Sequence, residues 1–269
     1  MNTVSISRFT PSTMPEEMLE RLFVVRQPIL EQLMNRVKAL GHTPSPHHTL
    51  LVGPRGAGKT HLISLVYHRS KNFADTSKDK PLRIAWLPED PWTLVSYGRL
   101  LAAILERVAP DLSARKNDES ELDASIRHTS REDGPILVLA ENLDQILDAL
   151  GDSGQQKLRN LLQTESGILI IASTTRLDRS LSSHAAPFFG FFDTIRLDPF
   201  SPDEAREMLA TLAREANNSE LAKRLSDNES LARIHTIAHL AGGQPRLWAL
   251  LGSALTVEDL RDLTTLLLN

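Results

Sequence analysis

The sequence predicts an α/β fold: a parallel five-stranded sheet flanked by helices, followed by a helical C-terminal subdomain. Three observations carry the prediction. Five short apolar runs are bounded by turn residues: TLLV (49–52), LRIAWL (82–87), PILVLA (135–140), GILIIA (167–172) and TIRL (194–197). The strongest of them are continuously rather than alternately hydrophobic, as strands buried on both faces must be. Helical patterns lie between the runs, and beyond residue 200 the strand signal stops.

At the N-terminal end, RLFVVRQPILEQL (21–33) reads as a helical segment ahead of the first strand, TLLV. KTHLISLVYHRS (59–70) continues from that strand as a helix, and the polar KNFADTSKDKP (71–81) connects it to LRIAWL. In SYGRLLAAILERV, residues Leu101, Ile104, Leu105 and Val108 recur at helical spacing and make one apolar face. SARKNDESE (113–121) is a second polar connection, after which PILVLA, GILIIA and TIRL complete the sheet. Ser201-Pro202-Asp203-Glu204 has the form of a capping box, with proline at the first helical position. Breaks at Asn217-Asn218, Gly242-Gly243 and Thr256 divide the rest of the chain into about four helices. The expected division is therefore an α/β domain over 1–199, with an N-terminal helical segment, and a helical subdomain over 200–269.

With 269 residues the chain is long enough to bury a substantial core. Its 41% hydrophobic and 24% charged residues are the balance of an ordinary soluble globular protein. A net charge of −4 supplies no overall basic field to hold nucleic acid, so any such contact needs a local patch or a partner. There are no cysteines, which excludes disulfides, thiolate metal sites and a cysteine nucleophile. The start, MNTVSISRFTPS, lacks the plan of a signal peptide, and no apolar run approaches the roughly 20 residues of a membrane span. A cytoplasmic protein without a membrane partner is the expectation.

Residues 53–60, GPRGAGKT, match G-x-x-x-x-G-K-[ST] in full, between a predicted strand and a predicted helix. Such a loop curls its N–H groups toward one centre, and the helix N-terminus adds its positive dipole end. Gly53, Pro54, Arg55, Gly56, Ala57, Gly58, Lys59 and Thr60, with His61 after them, are the candidate nucleotide-binding residues. Lys59 would reach the β- and γ-phosphates, and the Thr60 hydroxyl would ligate Mg²⁺. ATP with Mg²⁺ is the expected ligand pair.

The acid that accompanies such a loop is sought at LVLAENLDQ (137–145). In one register Ala140-Glu141 is the acid pair, which makes Glu141 the base and leaves the magnesium-side aspartate missing. In the preferred register Glu141-Asn142-Leu143-Asp144 is the set, because Leu143-Asp144 then also matches. Glu141 would hold the Mg²⁺ hydration shell and Asp144 would support it. Asn142 would orient water without accepting its proton as a carboxylate can. Asp144 reads equally as an N-cap for a helix over Gln145–Leu150.

GPRGAGKTHL, ENLD after the third strand, the Thr174-Thr175 pair after the fourth, LDPFSPDEA and GGQPR together resemble the AAA+ superfamily. Within it they are similar to the origin-recognition and initiator-like clade, over about residues 20–255. The resemblance implies an AAA+ core, which is a P-loop NTPase sheet, with a helical lid. It also implies nucleotide-linked self-association or a protein partner. It makes Val25 and Arg26 candidates beside the adenine, with a capped surface helix as the plainer reading. It assigns a γ-phosphate sensor to one of Ser173, Thr174 and Thr175, with Thr174 favoured. It places Arg246, next to Pro245 at a helix start, as the lid arginine that meets the γ-phosphate. Arg176 and Arg179 fall near the finger that contacts a neighbouring subunit's nucleotide, though an ordinary loop charge is the favoured reading. Glu89 and Asp90 would stand behind the site. Initiators of this type continue into a winged-helix DNA-binding domain where this chain stops at LTTLLLN, so contact with nucleic acid is expected either through a partner or assembly, which the acidic balance favours, or not at all.

His235 and His239 have zinc-protease spacing, but Thr236 replaces the required glutamate, so no metal is expected there. FFGFF (188–192) reads as a core plug between sheet and lid. The functional expectation is an ATP/Mg²⁺-binding module with slow or partner-stimulated hydrolysis that drives a lid or assembly switch. By resemblance it would serve a nucleic-acid-processing, defence or mobile-element complex. A non-hydrolysing ATP-dependent scaffold is the alternative, and a small-molecule kinase is disfavoured by the lid.

Overall fold

A computed structural model of the chain describes residues 10–74, 80–87, 94–113, 118–177 and 179–257. The elements in order are α1 (Glu16–Leu22), α2 (Gln27–Ala39), β1 (Thr49–Val52), α3 (Lys59–Ala74), β2 (Arg83–Trp86), α4 (Tyr97–Val108), α5 (Pro110–Ser113) and α6 (Glu119–His128). A π turn over Thr129–Asp133 leads to β3 (Ile136–Ala140), α7 (Leu143–Thr164), β4 (Ile168–Thr174), α8 (Arg179–Ser182) and β5 (Asp193–Arg196). Four helices close the described chain: α9 (Pro202–Glu215), α10 (Ser219–Arg224), α11 (Asn228–Ala241) and α12 (Pro245–Ala254).

All five expected strands form, and they make one sheet of order β2-β3-β4-β1-β5 in which every pair is parallel. β3 and β4 are buried along their whole length, as continuous Ile/Leu/Val runs require. The helix after the glycine-rich loop runs on to Ala74, so the polar connection begins later than its composition indicates. Residues 75–79 of that connection, 114–117 of the second, and Glu89 and Asp90 lie outside the described residues.

Contacts divide the chain into two compact units. One comprises residues 29–53 and 62–196; the other comprises 1–28, 54–61 and 197–269. In the sheet unit, Leu50, Val138, Ala140, Ile170 and Ala172 on one face of the sheet pack with the apolar faces of α4, α6 and α7. The periodic residues of α4 are buried there, and Ser96 caps the helix by accepting the Arg99 N–H at 3.3 Å. α7 is longer than Gln145–Leu150 and breaks at Gly151, where φ is +60°. The Gln155 amide spans that break by donating to the Leu147 carbonyl at 2.9 Å.

Phe188 joins this same core and Phe191 and Phe192 pack against it, whereas Phe189 is exposed, so three of the four FFGFF rings serve the core of the sheet unit. His48, buried beside them, stacks on Phe191 with ring centres 5.0 Å apart. Its Nδ1 accepts the Ile170 N–H at 3.2 Å. Burial pushes its pKa down to about 4, against a hydrogen bond to the Leu162 backbone that favours the charged ring. His48 is therefore a neutral structural histidine at physiological pH.

In the other unit, Ala205, Leu209, Leu221, Ile234 and Trp248 form a small core of their own. The capping box is complete: the Glu204 N–H donates to Ser201 Oγ at 3.2 Å, and the Ser201 N–H donates to Glu204 Oε2 at 2.7 Å. The expected breaks also form. Asn217 and Gly242 take left-handed backbone, with φ of +56° and +71°, and Pro245 opens α12.

Candidate functional site

β1 leads directly into the glycine-rich loop. The Gly53 N–H donates to the Thr174 carbonyl at 3.3 Å, extending the β1–β4 pairing by one step. Beyond it the loop turns tightly: the Ala57 N–H donates to Pro54 O at 3.1 Å, and Gly56 and Gly58 have φ of +81° and +88°. Glycine is needed there for space as well. A Cβ at Gly56 would lie 3.0 Å from the Arg246 Cβ, and one at Gly58 would lie 3.2 Å from Arg26 Nη1. Lys59 is buried and donates from Nζ to Pro54 O at 3.0 Å, so its ammonium is held against the loop itself. The N–H groups of Arg55, Gly56 and Gly58 have no protein acceptor among the described residues. A cradle of unmet backbone donors beside a lysine suits a polyphosphate.

The N-terminal segment and the lid both attach to this loop. Arg26 donates from Nη1 to Ala57 O and, at 2.7 Å, from Nη2 to Asp198 O. Its guanidinium lies over the Phe200 ring, 5.2 Å from the centroid. Burial lowers the Arg26 pKa while the Glu204 and Asp198 carboxylates oppose that shift, and an arginine stays charged throughout. Val25 beside it is half-buried. His61 Nε2 meets the Leu19 carbonyl at 2.9 Å and its ring tilts against Phe23 at 5.5 Å. Burial lowers the His61 pKa, and a neutral ring donating to that carbonyl fits the contact. In the lid, Pro245 is buried, the Arg246 side chain is exposed, and the Arg246 N–H donates to Gly56 O at 3.2 Å. Asp198, Phe200 and Gln244 join this cluster; they lie in the LDPFSPDEA and GGQPR stretches, but those motifs gave them no individual role, since they act chiefly through carbonyls and proximity.

In the sheet unit the candidate residues lie at the ends of β3 and β4. Glu141 follows β3 directly and is 5% exposed. Asn142 takes the left-handed backbone, φ 52° and ψ 49°, and stands at the N-cap of α7. Asn is one of the few side chains that tolerate this conformation. Asp144 is thus inside the first turn of α7 and does not cap it, and its Oδ1 is buried with no hydrogen-bond partner among the described residues. An unsatisfied carboxylate oxygen is costly unless something binds it, and oxygen donors of this kind are what Mg²⁺ takes. On β4, Thr174 shares its face with Ala172 and Ile170, and its hydroxyl donates to Arg176 O at 2.9 Å. Ser173, 1% exposed, has the opposite face. Arg176 and Leu177 are exposed, while the side chains of Arg179 and His239 lie outside the described residues. Among the described residues no three His, Asp or Glu side chains form a metal cluster, and no helix is long and apolar enough to cross a membrane.

No protein-family model matches the chain, and no curated protein matches it. Solved structures do. The Aeropyrum pernix ORC1 protein in complex with DNA aligns with a TM-score of 0.59 at 16% identity, over 88% of this chain and 63% of that one. Drosophila ORC bound to DNA aligns at 0.59 and 16%, over 96% and 66%. The A. pernix ORC2 protein in ADPNP–ADP complexes aligns at 0.55 and 13%, over 89% and 71%. The chain thus spans less than two thirds of the first two. At these identities the likeness shows the fold alone, which is that of these ORC proteins.

Proposed function

We propose that this chain is an ATP- and Mg²⁺-binding AAA+ module that hydrolyses ATP slowly, or on stimulation by a partner, and uses the nucleotide to switch its lid and its assembly. The observation that carries the reading is the loop at 53–60, with N–H groups of Arg55, Gly56 and Gly58 unmet and Lys59 held beside them. These donors would take the β- and γ-phosphate oxygens, with Lys59 releasing Pro54 O to do so. Thr60, Glu141 and Asp144 would hold Mg²⁺, which when bound neutralises charge on those oxygens. Thr174 would read the γ-phosphate and Arg246 would stabilise its charge, tying the lid to nucleotide state. Asn142 would orient the attacking water but cannot take its proton, so turnover would be slow.

ADP would remain as the product ligand. Self-association or a protein partner would complete the active state. The likeness to proteins solved with DNA supports a role in a nucleic-acid-processing complex, with DNA met through the assembly; a defence or mobile-element setting for it is an analogy. A non-hydrolysing scaffold is the second reading, favoured by Asn142 where a carboxylate base would serve. Calorimetric titration with Mg-ATP, paired with phosphate release, tests both. Binding that Lys59→Ala abolishes, with slow release that Glu141→Gln abolishes, supports the ATPase. Binding without release in any assembly leaves the scaffold, and no binding at all overturns both.

A further inference from the structure

Arg26 closes a ring of contacts that begins and ends on the phosphate loop. Its Nη1 holds Ala57 O; its Nη2 holds Asp198 O at 2.7 Å; and its guanidinium covers the ring of Phe200. The Phe200 N–H donates to Gly243 O at 2.6 Å, and a Cβ at Gly243 would fall 2.3 Å from Phe200 O, so that crossing admits only glycine. Three residues on, the Arg246 N–H returns to Gly56 O at 3.2 Å. Two successive carbonyls of the loop are thus taken, one by Arg26 and one by the start of α12.

A trans peptide points its C=O and the following N–H in opposite directions. Holding Ala57 O against Arg26 therefore turns the Gly58 N–H the other way, and that N–H is one of the three with no protein acceptor among the described residues. From this geometry we propose that Arg26 is a positioning residue: it fixes the phosphate loop with its donors presented and clamps it to the strap at 198–200 that enters the lid, so that loop and lid rearrange together when polyphosphate binds. The inference rests on the ATP reading for its ligand, and it gives Arg26 a role independent of the base. Lysine cannot replace it, because one ammonium lacks the planar fork that meets two carbonyls while stacking on an aromatic ring.

Two measurements on the full chain test this. The first is the affinity of wild type, Arg26→Ala, Arg26→Lys and Phe200→Leu for ATP, GTP and inorganic tripolyphosphate. The second is amide hydrogen exchange, without nucleotide, at the loop and at 198–201. Arg26→Ala is expected to weaken all three probes by a common factor of about ten or more, as loss of charged hydrogen bonds implies. It should also speed exchange at both the loop and the strap while leaving β3 and β4 protected. Arg26→Lys should behave nearly as alanine, and Phe200→Leu should give a smaller change of the same kind. Weakening confined to ATP would make Arg26 a base contact and overturn the clamp. Unchanged exchange at the strap, faster exchange throughout the protein, or rescue by lysine would each overturn it as well. If wild type binds none of the three probes, the ATP reading fails by itself, and the exchange data still decide whether Arg26 clamps loop to strap.

Discussion

The loop-and-lid unit and the sheet unit carry their candidate site residues in different ways. In the first, main-chain groups do the work: N–H donors at 55, 56 and 58 are presented, and the carbonyls of residues 54, 56 and 57 are held by Lys59, Arg246 and Arg26. In the second, side chains at strand ends are involved, namely Glu141, Asn142, Asp144 and Thr174. A backbone cradle tolerates few changes, because glycine is required at φ +81° and +88° and no other residue fits. At Glu141, Asp144 and Thr174 the candidate group is a side chain, and of the four only Asn142 holds left-handed backbone. Substitutions in the loop are therefore expected to affect binding more than substitutions at residue 142 do.

The largest expected effect falls on the cradle. Lys59→Ala should weaken ATP binding by about 100-fold or more in titration, since it removes the loop's one ammonium. Gly243→Ala should cost more than about 2 kcal/mol in chemical denaturation, because its Cβ has no room beside Phe200 O.

The sheet unit should show its own signature in acid. His48 has its pKa lowered to about 4 by burial, so the unfolded chain binds its proton first as pH falls. The stability it confers is complete above pH 6.5 and is lost on descending to about 4, a loss of about 3 kcal/mol. Denaturation across that range should show a slope that His48→Gln reduces; an identical slope in the variant would contradict a buried neutral histidine.

Two smaller effects separate the units further. Ser201→Ala should cost about 1 kcal/mol, since it opens a complete capping box. Asn142→Glu should cost about 1 kcal/mol through its left-handed backbone, whereas Asn142→Gly should cost nothing.

Much of the fold was legible because buried parallel strands have a compositional signature. TLLV, PILVLA and GILIIA could hardly be anything else, and Ser201-Pro202-Asp203-Glu204 named its own helix start. The loop was legible for the same reason that it resists change: glycine and lysine at fixed spacing leave a pattern. The clamp left its residues in the quoted motifs but not its contacts. Arg26, Asp198 and Gly243 meet through carbonyls and van der Waals clearance, and any residue can offer a carbonyl. The continuation of α7 from Gly151 to Thr164 escaped, because a glycine after Leu150 reads as a helix end and does not announce that the helix resumes beyond its φ of +60°. The grouping of residues 54–61 with 197–269 is a long-range contact pattern that composition along the chain does not express.

A decisive measurement is single-turnover hydrolysis of ATP by wild type and Asn142→Glu, with affinity recorded in parallel. Equal binding, slow wild-type cleavage and cleavage at least about tenfold faster in the variant are expected, as a supplied general base implies. Fast cleavage by wild type, or no binding by either protein, would contradict a nucleotide switch limited at residue 142.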